Sequence, residues 1–67
     1  MTPNPIREAR ERMALTQAQL ADLIGVTKAA VSWWETGRAK PTPAKGLRLV
    51  DALPGLVFLD IYTPKVA

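Results

Sequence analysis

The chain has 67 residues, no cysteine and no histidine, and nine Lys+Arg against six Asp+Glu, for a net charge of +3. One domain fits that length, and a domain so small buries only about 60% of the surface its unfolded chain exposes. Without cysteine or histidine there are no disulfides, zinc fingers or histidine metal sites, and the basic balance suits a polyanionic partner without proving one.

Asn4-Pro5 reads as a helix cap followed by proline at the first helical position. Helix 1 then runs to about Met13, with Ile6, Ala9 and Met13 on one stripe. Ala14 and Leu15 form a short connection. Thr16 caps helix 2, about residues 17–24, and Gln19 three residues later completes a capping box. Leu20, Leu23 and Ile24 make its apolar face, and Gly25 supplies a left-handed stop. Leu15 with Leu20, and Val26 with Val31, sit at the positions of hydrophobic staples across the caps. Thr27 opens helix 3, about residues 28–36, with Val31 and Trp34 one turn apart and facing inward. Gly37 closes it. A basic loop, RAKPTP, leads to Thr42-Pro43 and a fourth helix running to about Leu53, with Leu47, Val50 and Leu53 expected inward.

After Pro54-Gly55 the run LVFLDIYT is rich in β-branched and aromatic residues and alternates Val57, Leu59 and Ile61 with Phe58, Asp60 and Tyr62. It reads as a strand, with a short fifth helix as the competing reading. The expected fold is therefore mainly α. Residues 1–55 are expected to form a four-to-five-helix domain, and 56–67 an extended tail that pairs as a strand across a dimer.

Helix 2, the tight connection Gly25-Val26-Thr27 and helix 3 make a helix-turn-helix, whose second helix is free to enter a major groove. The segment TQAQLADLIGVTKAAVSWWETGRAKP resembles the Cro/cI-type (XRE-like) helix-turn-helix family of phage repressors and related bacterial regulators. The resemblance is carried by Thr16, Gln17, Leu20, Ala21, Gly25, Val26, Thr27, Val31, Ser32, Glu35, Gly37 and Pro41, and extends from about Ile6 to Leu53. It implies a lambda-repressor-like fold and a transcriptional regulator, most simply a dimeric repressor of a phage, mobile-element or own promoter.

At 100° per residue, Ala29, Ser32, Trp33 and Thr36 point away from Val31 and Trp34, with Lys28 at the exposed N-terminal edge. These five are the candidates for base contacts. Lys28 can donate to guanine, Ser32 can pair with several bases, and Ala29 can touch a thymine methyl. An exposed indole at Trp33 asks for cover, from DNA or from the turn beside it. Arg38 and Lys40 are candidates for backbone phosphates, with Lys45 and Arg48 on helix 4 weaker ones. The resemblance implies a phosphate contact at Gln17, which suits the free amides of that helix end. Thr27 can cap helix 3 and reach a phosphate as well. The resemblance also implies a structural ion pair between Arg10 of helix 1 and Glu35.

For an enzyme the chain lacks a Gly-rich phosphate loop and paired carboxylates in a plausible pocket, so neither catalysis nor a cofactor is expected. MTPNPIREAR holds no secretory signal and no apolar run approaches a membrane span, which leaves a cytoplasmic protein as the expectation. The expected partners are double-stranded DNA with a palindromic operator and a second copy of the chain. Leu56, Val57, Phe58, Leu59, Ile61 and Tyr62 are the expected dimerisation residues, and a chain ended after Gly55 is expected to fold as a helical monomer. An antitoxin that binds DNA and grips a toxin with its tail is the alternative, and a protein-interaction module anchored on Trp33 a third reading.

Overall fold

The structure is a computed structural model and describes residues 4–62. Five helices follow in order: α1 (Pro5–Arg12), α2 (Gln17–Ile24), α3 (Lys28–Thr36), α4 (Pro43–Ala52) and α5 (Phe58–Tyr62). The first four begin on a side-chain cap. Asn4 accepts from the Arg7 amide at 2.9 Å, Thr27 from Ala30 at 3.2 Å, and Thr42 from Lys45 at 3.4 Å. Thr16 accepts from Gln19 at 3.1 Å while the Gln19 side chain accepts from the Thr16 amide at 2.8 Å, so both halves of the capping box form. α2 and α3 stop at Gly25 and Gly37, whose φ values of +84° and +79° suit glycine and few other residues.

The core is one apolar cluster drawn from every helix. Ile6 and Ala9 come from α1, Leu20, Ala21 and Ile24 from α2, Val31 and Trp34 from α3, Leu49 from α4 and Ile61 from α5, with Leu53 and Leu56 from the α4–α5 connection. Leu15 and Val26 pack against its rim, as the staple positions require. Three inward assignments from the sequence are corrected. Leu23 is 61% and Leu47 62% exposed. The buried arc of α2 runs through Leu20, Ala21 and Ile24, which leaves Leu23 roughly 100° off its centre. On α4 the arc centres on Gly46, Leu49 and Leu53, because α5 packs on the bare Gly46 position, and Leu47 turns outward. Met13 is exposed as well. The helix ends at Arg12, so Met13, at φ −88° and ψ 1°, leaves the stripe.

The expected C-terminal strand is also corrected: residues 58–62 are helical. A lone strand at the end of one chain would leave its amides and carbonyls unpaired. A helical turn satisfies them locally, beginning with the Asp60 amide bonded to the Val57 carbonyl at 3.0 Å. It also puts Phe58, Ile61 and Tyr62 on one face at the i, i+3, i+4 spacing. Ile61 enters the core, and the Phe58 and Tyr62 rings, with centroids 5.0 Å apart, close over Gly46. The tail is thus part of the domain through residue 62. Residues 63–67 of the expected tail lie outside the described residues.

Candidate nucleic-acid interface

α3 is held from behind and open in front. Val31 is fully buried and Trp34 nearly so, while Lys28, Ala29, Trp33 and Thr36 are exposed and Ser32 is half-buried. The five candidates for base contacts therefore share the outward side of α3. Trp33 is 48% exposed, an indole presented to solvent rather than folded into the core. The Thr36 hydroxyl donates back to the Ser32 carbonyl at 3.0 Å, which leaves its oxygen free as an acceptor on an exposed residue.

The back of α3 is fixed by a polar network. Arg10 Nε donates to Glu35 Oε2 at 2.7 Å and Arg10 Nη2 to Glu35 Oε1 at 3.0 Å, a bidentate pair. The Glu35 side chain is only 4% exposed. Its carboxylate raises the Arg10 pKa, first by hydrogen bonding and against the opposing pull of burial, so the guanidinium stays charged throughout the working range. Arg10 Nη1 also donates to the Leu15 carbonyl at 2.7 Å, and Gln17 Nε2 reaches Glu35 Oε1 at 3.2 Å. One carboxylate thereby joins α1, the start of α2 and the end of α3. A second tie runs from Asn4, whose Nδ2 donates to the Trp34 carbonyl at 3.0 Å.

The cations around α3 are not alike. Arg38 is exposed just past Gly37. Lys40 is exposed too, but its Nζ donates to the Tyr62 carbonyl at 2.9 Å, which orients it toward α5. Arg48 Nη1 donates to the Ile24 carbonyl at 3.1 Å and so caps the C-terminus of α2, a role sequence reasoning missed. Thr27 performs its cap with its side-chain oxygen, and Gln17 occupies the first position of α2. The Gln17–Glu35 bond and the Asn4–Trp34 bond were also missed. Each joins residues far apart in sequence, and no local pattern signals them.

The arrangement is that of a helix-turn-helix: a capped α2, a glycine-closed turn, and an α3 buttressed on one side and bare on the other. Residues 6–55 match the helix-turn-helix family. The chain belongs to that family, a class of DNA-binding transcription regulators. It is 37% identical over 57 residues to an uncharacterized HTH-type transcriptional regulator of Methanothermobacter thermautotrophicus, covering 85% of this chain and 83% of that protein. It is 39% identical over 49 residues to the type II methyltransferase M.SsoII of Shigella sonnei, covering 69% of this chain but only 13% of the methyltransferase. No solved structure matches the chain at a significant level. Among the described residues no helix is long and apolar enough to cross a membrane.

Proposed function

We propose that this protein binds double-stranded DNA sequence-specifically as a dimeric repressor of its own, a phage or a mobile-element promoter. The observation that carries the reading is the exposed side of α3, where Lys28, Ala29, Ser32, Trp33 and Thr36 stand clear of the core on a helix braced from behind. Lys28 and Ser32 read base edges, and Ala29, Trp33 and the Thr36 methyl meet thymine methyls or sugars. Arg38 and Lys40 neutralise backbone phosphates, and Gln17 and Thr27 meet them at the starts of α2 and α3. The relative from Methanothermobacter, a regulator by name and matched over most of its length, supports this reading. The methyltransferase match covers too little of that enzyme to carry its chemistry over. Dimer formation would use the apolar side chains that α5 and its approach leave exposed, Val57 and Leu59, in place of the strand pairing expected from the sequence. Repression is then steric and cytoplasmic: the dimer covers a palindromic promoter site and excludes polymerase.

Selection from a randomised pool of duplexes, followed by a salt titration, tests the reading. Affinity for the selected duplex should fall by about two to four orders of magnitude between roughly 50 and 200 mM salt. Lys28→Ala and Ser32→Ala should relax base preference, at about 1–3 kcal/mol for each good contact, while Arg38→Ala weakens all duplexes alike. Trp33→Ala should lose affinity at an almost unchanged melting temperature. Salt-insensitive binding, or selection of no consensus, would sink the proposal.

A further inference from the structure

We propose that Glu35 is a positioning residue for DNA: it holds one N–H of the Gln17 carboxamide and thereby presents the other N–H, at the start of α2, to a backbone phosphate. The inference rests on the DNA-binding reading above and assigns Glu35 a task beyond joining α1 to α3.

The carboxylate of Glu35 can only accept, so the end of the Gln17 amide that faces it must be the NH2 group. That removes the usual freedom of a glutamine side chain to turn its carbonyl and amino ends about. Glu35 itself has little room to move. Arg10 grips both of its oxygens, and its side chain is 4% exposed. Arg10 is anchored in turn on the Leu15 carbonyl, two residues before Gln17. Oε1 of Glu35 is shared between Arg10 Nη2 and Gln17 Nε2, so the amide sits at the end of a braced chain of donors and acceptors.

The second N–H and the carbonyl of Gln17 have no protein partner among the described residues, and the residue is half-buried. The backbone beside it is also favourable to an anion. The Gln19 and Leu20 amides bond to Thr16, whereas those of Gln17 and Ala18, at the first two positions of α2, have no intrahelical partner. A phosphate at this point therefore meets a preset amide N–H together with free helix-end N–H groups. Negative charge on Glu35 stays behind the contact, neutralised by Arg10, and does not repel the phosphate.

A double-mutant cycle on the full chain tests this, using the duplex that the wild-type protein selects from a random pool. Gln17→Ala and the paired change Arg10→Met with Glu35→Leu, which removes the acceptor without leaving a buried charge unpaired, should each weaken binding about three- to tenfold at a temperature where both are fully folded, and the triple variant no further than the weaker of the two. A purely structural Glu35 would give additive losses, or an affinity unchanged by the paired change despite a lower melting temperature, and either result overturns the proposal. Should the paired change fail to fold, the wild-type protein serves instead. The two carboxamide protons of Gln17 should be well separated in its NMR spectrum, and only one should shift strongly when the duplex is added. If neither moves while the α3 amides do, the proposal fails. If the wild-type protein selects no duplex at all, it is the DNA-binding reading that fails first, a distinguishable outcome.

Discussion

Arg10 makes three hydrogen bonds to two partners, Glu35 and the Leu15 carbonyl, and is itself largely covered. Replacing it would leave a buried carboxylate without its counter-charge. Breaking such a pair from one side typically costs about 3 kcal/mol or more, a large share of the stability of so small a domain. Arg10→Ala should therefore lower the urea midpoint sharply. An unchanged midpoint would mean that water replaces the guanidinium without penalty. Ala14 presents the opposite case. Its φ of +56° places a side chain in the left-handed region, in the turn between α1 and α2. Relief of that strain is worth roughly 1–2 kcal/mol, and glycine's extra freedom in the unfolded chain takes back about half of it. Ala14→Gly should be a gain of about 0.5 kcal/mol by denaturant titration, and a loss would show that the turn is not strained.

α5 depends on one missing side chain. A methyl added at Gly46 would run into the Tyr62 hydroxyl and come within 3.1 Å of the Phe58 ring. Alanine is the better helix former by about 1 kcal/mol, but crowding in a packed site costs roughly 1–3 kcal/mol. The second effect wins because Tyr62 is pinned, its hydroxyl donating to the Thr42 carbonyl at 3.0 Å. Gly46→Ala should be destabilising overall. Tyr62 is the only tyrosine, so its absorbance reports on this packing directly. Burial pushes its phenol above the ordinary value of 10.0. The unfolded chain then loses this proton first as pH rises. Stability is complete below the ordinary value and declines as pH climbs through the raised one. A spectroscopic titration should find the tyrosinate late in the wild type and closer to the ordinary value in Gly46→Ala. The elements themselves were unevenly legible in the sequence. Asn4, Thr16, Thr27, Thr42, Gly25 and Gly37 act on neighbours within four residues, so the bounds of the first four helices could be read locally. The run 56–62 carries both a two-residue and a helical period, and what decides between them lies elsewhere in the chain: the bare Gly46 position, ten residues before the run, that receives Phe58 and Tyr62, and the core that takes Ile61. Gln17–Glu35 and Arg48–Ile24 were out of reach for the same reason: each needs two helices already placed.

At the scale of the whole molecule, the described residues extend at most 31 Å and present one α3. Successive major grooves on one side of a duplex lie about 34 Å apart, so reading two half-sites takes two chains. Two of the expected dimerisation residues, Leu56 and Ile61, are committed to their own core. Ending the chain after Gly55 would strip both away, and losses of about 2–5 kcal/mol for each large buried side chain approach the entire stability of the domain. The truncated chain should be largely unfolded by circular dichroism, the reverse of the independent monomer that the sequence suggests. A surface change is the cleaner probe of assembly. Leu59 is 66% exposed, and Leu59→Lys should leave the melting temperature within a few degrees while shifting sedimentation toward monomer. A variant that sediments as the wild type does would remove α5 from the proposed dimer interface.

Asn4 has a consequence for how the protein ages. Its carboxamide does two tasks at once, the oxygen capping α1 and the nitrogen holding the Trp34 carbonyl. Hydrolysis to aspartate would keep the cap but set an anion against that carbonyl, loosening α1 from α3. The usual route to that damage begins when the next residue's backbone nitrogen, stripped of its proton, attacks the side chain. Here the next residue is Pro5, which has no N–H to lose. The residue that starts the first helix therefore also shields the cap before it from spontaneous deamidation, and stored protein should accumulate no aspartate at position 4 by this route.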